Sequence, residues 1–159
     1  MTTPIRRHES LQFLSREHHQ GLLLSWKIRK GISVRIDSER IKNYITWFYK
    51  EHLAPHFQVE ELHVFPVLGN DHPMIIQALA EHRNLEKLIT GDLTETITFQ
   101  EIADALEQHI RFEERTLFNE IEKVVTPEQL RLINELHAEA PFCENENDKF
   151  WLGKTAQKE

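Results

Sequence analysis

The chain has 159 residues, of which 40% are hydrophobic, and its 19 basic and 26 acidic residues give a formal charge of -7. This length fits a single domain over 1–159, and the acidic balance without a Lys/Arg cluster argues against a nucleic-acid partner. Cys143 is the only cysteine, so thiolate-rich metal sites are excluded and any metal must be held by nitrogen and oxygen. Because no signal-peptide core or membrane-length apolar stretch is present, we expect a cytoplasmic protein without membrane contact.

The first half of the chain predicts two long helices. Apolar spacing favours a first helix from 10 to about 30, with Gly31 as its stop. A second helix is expected from 37 or 38 to about 69, and Pro55 should kink or split it just before His56 because proline removes one backbone donor. The residues expected on the buried faces of these two helices include Leu11, Leu14, Leu22, Leu24, Trp26, Ile28, Ile41, Tyr44, Ile45, Phe48, Leu53, Phe57, Leu62 and Phe65.

The second half predicts two further long helices. One should begin at 71 or 72, ahead of a proline, and end at Gly91. The next should begin with a capping box formed by Thr98 and Glu101 and extend to 124 or 125.

A short fifth helix and a tail complete the chain over about 126–159. Its start signal is a second capping box at Thr126, and it should run to about Ala138. The aromatic residues expected to attach the tail to the rest of the fold are Phe142, Phe150 and Trp151. Four long amphipathic helices with short links indicate an all-α, up-down antiparallel four-helix bundle.

A repeated motif carries the strongest functional signal. The segment HFQVEELHVFPVL at 56–68 returns in altered form as HIRFEERTLFNEI at 109–121, and each copy has a His followed four residues later by a Glu. Positions i and i+4 lie on one helix face, so each pair presents an imidazole beside a carboxylate. The other two long helices each carry a Glu-His pair, at 17–18 and 81–82. This match selects His18 over the neighbouring His19, which falls on another face.

Four imidazoles and two carboxylates suit two metal ions, each held by two His with both Glu bridging. The predicted metal ligands are His18, His56, Glu60, His82, His109 and Glu113. Imidazole with carboxylate favours iron or manganese, with zinc as a further occupant. Open coordination positions would suit dioxygen, peroxide or nitric oxide.

Four other residues near these ligands are predicted to have supporting or surface roles. His52 and Glu86 are expected to hydrogen-bond or pack near the site rather than bind metal, although His52 could act as a further ligand and Glu86 as a third carboxylate. Glu61 and Glu114 follow the bridging candidates by one residue, so rotation along the helix should leave them solvated.

Three alternatives compete with the two-metal interpretation. A lone His on an apolar face is usually a core residue, but the repetition of the motif and the cost of burying carboxylates without a cation favour metal. A ferritin-like di-iron bundle needs two Glu-x-x-His motifs, and this chain has only Glu60 to His63, which we expect to face outward. The His-Glu-x-x-His helix of zinc proteases is absent.

On these motifs, with REHHQGLLLSWKIRKG at 16–31 and EHRNLEKL at 81–88, the chain resembles the hemerythrin-like, HHE cation-binding family over about 8–125. The resemblance implies a four-helix bundle with a carboxylate-bridged di-iron centre that binds dioxygen, nitric oxide or peroxide, with the four His as terminal ligands. Oxygen-carrying hemerythrins have a further His on the third helix and a final Asp, where this chain has Ala78, Glu86 and Glu113. The pattern is therefore closer to bacterial four-His, two-Glu members similar to iron-centre repair and nitric-oxide-responsive proteins.

Two functions follow from this resemblance. One is a module that binds or senses the small ligand, or handles iron. The other is a di-iron enzyme for peroxide breakdown, nitric oxide reduction or iron-centre repair. An enzyme would need a nearby proton donor, and the available residues are His52, Glu86, Tyr44 and Tyr49.

Overall fold

The computed structural model describes residues 6–136 and 142–153, which contain helices and no strand. Four helical runs form an up-down antiparallel bundle, followed by a short C-terminal helix. The α-helices are α1 Gln12–Ser33, α2 Ser38–Phe48, α3 Ala54–Val59, α4 Pro73–Thr90, α5 Thr96–Phe112, α6 Phe118–Val124 and α7 Pro127–Glu135. In these described residues, no helix is both long and apolar enough to cross a bilayer.

Three π-helical segments interrupt the second and fourth runs. They are Tyr49–Leu53 between α2 and α3, Glu60–Val64 after α3, and Glu113–Leu117 between α5 and α6. The first of them ends just before Pro55, and the backbone stays helical through His56, so the helix changes from π to α here and is not split; the alternative expectation of a kink stays a prediction. The other two begin at Glu60 and Glu113, and π segments inside α-helices are frequent at functional sites.

The apolar core consists of two clusters, one toward each end of the bundle. Leu14 of α1 belongs to the cluster at one end of the bundle, and Leu24 belongs to the cluster at the other end. The run that contains α2 and α3 passes through these two clusters in the opposite order. The order alternates again in α4 and α5, as an up-down topology requires. Along every run, the predicted ligands lie where the chain passes from one cluster to the other.

Several predicted helix ends are confirmed. His72 caps α4, where its Nδ1 accepts a hydrogen bond from the Met74 amide at 3.1 Å, and Gly91 follows the last residue of that helix. The capping box at Thr126 is present at α7. That helix ends at Glu135, and the remainder of its expected span to Ala138 lies partly outside the described residues.

Other sequence predictions of the fold were wrong. Gly31 does not stop α1, which continues to Ser33. A Cβ at Gly31 would lie 2.7 Å from Cε2 of Phe150, so the glycine instead makes room for that ring. The fourth run begins at Thr96 without the capping box expected at Thr98. Trp26 and Leu62 were expected in the core but are 52% and 60% exposed.

Candidate metal centre

The structure brings all six predicted ligand residues together in the middle of the bundle. His18, His56, His82 and His109 are at most 4% exposed, and Glu60 and Glu113 are fully buried. Each pair of imidazoles comes from consecutive runs, with the His18 and His56 rings 4.8 Å apart and the His82 and His109 rings 4.7 Å apart. His19 is exposed, as the face comparison predicted.

The two carboxylates each contact imidazoles of both pairs. Glu60 lies 3.0 Å from His56 Nε2 and 3.4 Å from His82 Nε2. Glu113 lies 2.9 Å from His18 Nε2 and 2.5 Å from His109 Nε2. Both carboxylates therefore occupy the position that a bridge between two ions would take.

These donors form two groups that share the carboxylates. Within each group the ligand atoms lie within 4.8 Å of one another, and each group has two imidazoles and both Glu. The groups are His18, His56, Glu60 and Glu113, and Glu60, His82, His109 and Glu113. Nitrogen and carboxylate oxygen in this number match the preferences of iron, manganese or zinc. The role of these residues as metal ligands stays a prediction.

The buried polar atoms at the centre lack hydrogen bonds. The Nε2 atoms of all four imidazoles and all four carboxylate oxygens of Glu60 and Glu113 make close ion-pair contacts with one another, but none of these contacts has the geometry of a hydrogen bond. A buried polar group left without a partner costs roughly 1–3 kcal/mol, and more when it is charged. Eight such atoms face one another, and this arrangement fits a site in which all of them would bind metal ions.

Protons and metal ions would compete for these donors. Burial disfavours an imidazolium, but contacts with Glu113, Glu60 and Glu61 outweigh burial and raise the pKa of His82 to about 11. Burial is similarly overcome at His56, where Glu60 is the main opposing charge and the pKa rises to about 9. The carboxylate pKa of Glu113 is well below its usual value, despite burial, because His109 and its other imidazole neighbours stabilise the charged form.

A second layer of carboxylates surrounds the imidazoles at their Nδ1 atoms. Glu114 lies 2.7 Å from His18 Nδ1, Glu61 lies 2.8 Å from His82 Nδ1, and Glu81 lies 2.7 Å from His109 Nδ1. Glu17 approaches His56 Nδ1 at 3.4 Å without a hydrogen bond. Each helical run thus supplies one outer carboxylate to an imidazole of the adjacent run, and the four contacts form a closed ring around the bundle.

The expectation that Glu61 and Glu114 are solvated was wrong. Their side chains are only 22% and 23% exposed, and each contacts an imidazole of a neighbouring run. Each of these residues follows a bridging candidate by one position, so its side chain points away from the bundle axis and into the space between two helices. The Nδ1 atom of an imidazole on the neighbouring run lies in the same space. The available signal was the repeated doublet, since Glu-Glu occurs at 60–61 and 113–114, and Glu-His at 17–18 and 81–82.

The remaining residues near the predicted ligands either have other partners or are exposed. Glu86 lies 3.3 Å from Arg83 on its own helix, and its backbone carbonyl accepts a hydrogen bond from Thr90. His63 is exposed, as expected. Tyr44 bonds to Glu144 and Lys27, so its hydroxyl belongs to another cluster.

A small cavity adjoins the imidazoles on one side. Its volume is about 30 Å³, and its lining includes His18, His56 and His109 together with the apolar Phe57 and Leu106. A cavity of this size has room for about two water molecules, or one diatomic molecule. Of the four proton donors considered from the sequence, only His52 lines it.

The fold and this donor set define a metal-binding helical bundle. A family model described as the hemerythrin HHE cation binding domain matches residues 10–121, and the chain belongs to that family. The four-His, two-Glu composition of the site is consistent with the bacterial subtype. No curated protein and no solved structure matches the chain.

The outer carboxylates should control metal affinity. We expect Glu114→Gln to weaken metal binding about 10–100-fold, because the outer partner of a ligand His fixes its orientation and raises its basicity. Metal affinity measured by competition with a chelator tests this. Glu120→Gln, which changes an exposed ion pair with Lys123 in the same run, is the matched control and should bind metal as the wild type does. Equal affinities of the two variants would contradict the prediction.

Proposed function

We propose that this chain is a non-haem di-iron protein that binds or senses dioxygen, nitric oxide or peroxide, or handles iron. In this proposal, the four buried imidazoles are terminal ligands, Glu60 and Glu113 bridge the ions, and residues 1–159 form one domain. The observation that carries the proposal is the set of eight buried donor atoms without hydrogen bonds, arranged in two groups that share both carboxylates. Manganese or zinc would fit the same donors as substitutes.

The protein's own residues support a ligand-binding role. Iron would supply the redox chemistry and the open coordination positions. The cavity beside His18, His56 and His109 would hold the incoming molecule, and the apolar Phe57 and Leu106 form part of its wall. The volume of about 30 Å³ favours a molecule of two heavy atoms over a larger organic substrate.

Metal analysis tests the di-metal proposal. Protein purified from its native host should contain about two iron ions per chain, and its optical spectrum should have the absorption of an oxo-bridged di-iron centre. The double variant His109→Ala, Glu113→Ala should lose both features. A metal content below one per chain that does not change in this variant would reject the proposal in favour of structural histidines.

A di-iron enzyme is the second candidate, and one observation favours it. His52 lines the cavity, and its Nε2 is buried without a hydrogen-bond partner. Burial lowers the pKa of His52, so the ring is neutral at neutral pH. A neutral imidazole can donate or accept a hydrogen bond, here with a molecule in the cavity. Mixing the di-ferrous protein with peroxide, dioxygen or nitric oxide distinguishes the candidates. Sustained turnover supports the enzyme, and a single stoichiometric event supports binding or sensing.

A further inference from the structure

The described C-terminal residues 142–153, here called the strap, lie beyond the residues matched by the family model and pack across the bundle. Their first anchor is a partly buried ion pair. Lys27, which is 7% exposed, donates hydrogen bonds to Glu144 at 2.7 Å and to the Tyr44 hydroxyl at 2.9 Å. The Tyr44 hydroxyl in turn donates to the other Glu144 oxygen at 2.5 Å. A buried lysine held by two partners from different segments ties the strap to α1 and α2.

Two more contacts fix the far end of the strap. Arg40 of α2 forms a bidentate ion pair with Asp148, with both nitrogen–oxygen distances at 2.7 Å. Phe150 is fully buried against Gly31. Bidentate Arg–carboxylate pairs fix geometry as well as contributing energy. The strap is therefore held in one position by an ion pair near each end and a buried ring.

The first residue of the strap forms part of the cavity wall. The Phe142 ring lies 4.6 Å from the His52 ring and 6.1 Å from the Phe48 ring. Phe142 and His52 line the cavity beside the imidazoles and also a larger groove, and Glu17 and Gln20 of α1 likewise border both spaces. Of these four side chains, Phe142 and His52 are the pair in ring contact with each other, so their rings form the apolar part of the boundary.

We propose that Phe142 and His52 form the gate through which small ligands pass from this groove to the metal centre. The strap sets the width of the gate by holding Phe142 against His52. This inference rests on the proposed function, since it concerns access to the same centre. A molecule larger than the cavity must displace the Phe142 ring, so the gate selects small ligands over larger ones.

Ligand entry rates test the gate. In the iron-loaded protein, Phe142→Ala should increase the association rate of azide, a linear triatomic anion, by about tenfold, equivalent to about 1.4 kcal/mol of entry barrier. Stopped-flow absorption at the di-iron bands measures this rate. The iron content should stay at the wild-type value because Phe142 is only partly buried and contacts none of the predicted ligands in the ring contacts described above.

The anchor variants test whether the strap positions the gate. Glu144→Gln should increase the azide rate in the same direction, and in metal-free protein it should increase acrylamide quenching of Trp47 and Trp151. Lys149→Gln is the control, because Lys149 pairs with Glu146 inside the strap and should change neither measurement.

The outcomes separate the gate from the di-iron proposal. Protein that loads two iron ions but has the same azide rate in wild type, Phe142→Ala and Glu144→Gln overturns the gate and leaves the di-iron proposal intact. Protein that loads no iron overturns both. If azide enters faster in Phe142→Ala but the quenching does not change in Glu144→Gln, the gate is retained. The proposal that the strap controls the gate is then overturned.

Discussion

Glu113→Gln is expected to reduce the metal content from two ions per chain to at most one, and to destabilise the metal-free protein by about 3–5 kcal/mol. Glu113 is fully buried and contacts His18, His82 and His109. A glutamine has nearly the same shape but presents one amide group as a donor and carries no charge. It can therefore neither bridge two cations nor balance the imidazolium groups that surround it when metal is absent.

Two measurements and two further variants make this prediction specific. Metal analysis after loading gives the stoichiometry, and urea unfolding in the presence of a chelator gives the free energy of unfolding of the metal-free protein. Glu60→Gln should behave similarly, because Glu60 makes the equivalent contacts with His56, His82 and His18. Glu120→Gln on the surface should resemble the wild type in both measurements. If Glu113→Gln kept two ions and wild-type stability, the carboxylate would not be a bridge.

The sequence predicted the bundle and the convergence of the six central residues because both depend on helical periodicity. Hydrophobic spacing fixes which face of each helix is buried, so a polar residue on that face must meet the polar residues of the facing helices. This is why His18, and not His19, could be selected. The structure places each of the six residues in the buried centre, where its run passes from one apolar cluster to the other.

The outer carboxylates and the π segments could not be predicted in this way. A helical projection separates buried from exposed faces, but it does not show which side chain lies in the gap between two particular helices. Glu61 and Glu114 occupy such gaps. The π segments at Glu60 and Glu113 depend on hydrogen bonds of the i→i+5 type, which tertiary packing selects and no residue type specifies.

The cavity and the strap required knowledge of volumes and of long-range contacts. The Lys27–Glu144 pair joins residues 117 positions apart, and Phe150 packs against Gly31, for which the sequence pattern predicts a helix end. The tail aromatics were expected to attach to the bundle, and this is confirmed. Their relation to the cavity depends on where the helices leave space, which the periodicity of the sequence does not determine.

The metal-free protein is expected to lose stability as the pH rises from about 6.5, with the contribution of His56 lost by about pH 9 and that of His82 by about pH 11. The contacts described above raise the pKa of His56 to about 9 and of His82 to about 11. In the unfolded chain both imidazoles have a pKa of about 6.5. A group whose pKa is higher in the folded state stabilises it fully below the unfolded value, and this contribution declines as the pH rises toward the folded value.

The expected size follows from proton linkage. Each imidazole that stays protonated in the folded protein but not in the unfolded chain contributes a slope of about 1.4 kcal/mol per pH unit. His56 and His82 together should lower the free energy of unfolding by about 3 kcal/mol between pH 6.5 and 8. Urea unfolding with a chelator present, at pH 6.5, 7.3 and 8, measures this change. His19→Gln removes an exposed imidazole and should leave the slope unchanged.

The metal-loaded protein should show the opposite trend. Metal binds the deprotonated imidazole, so protons compete less as the pH rises and the stabilisation by bound metal increases. The two stability curves should therefore diverge between pH 6.5 and 8, and loading the protein at pH 7 should release protons that a pH indicator in weak buffer detects. Parallel curves and no proton release would mean that the buried imidazoles are neutral without metal, and that Glu60 and Glu113 do not hold them in the charged form.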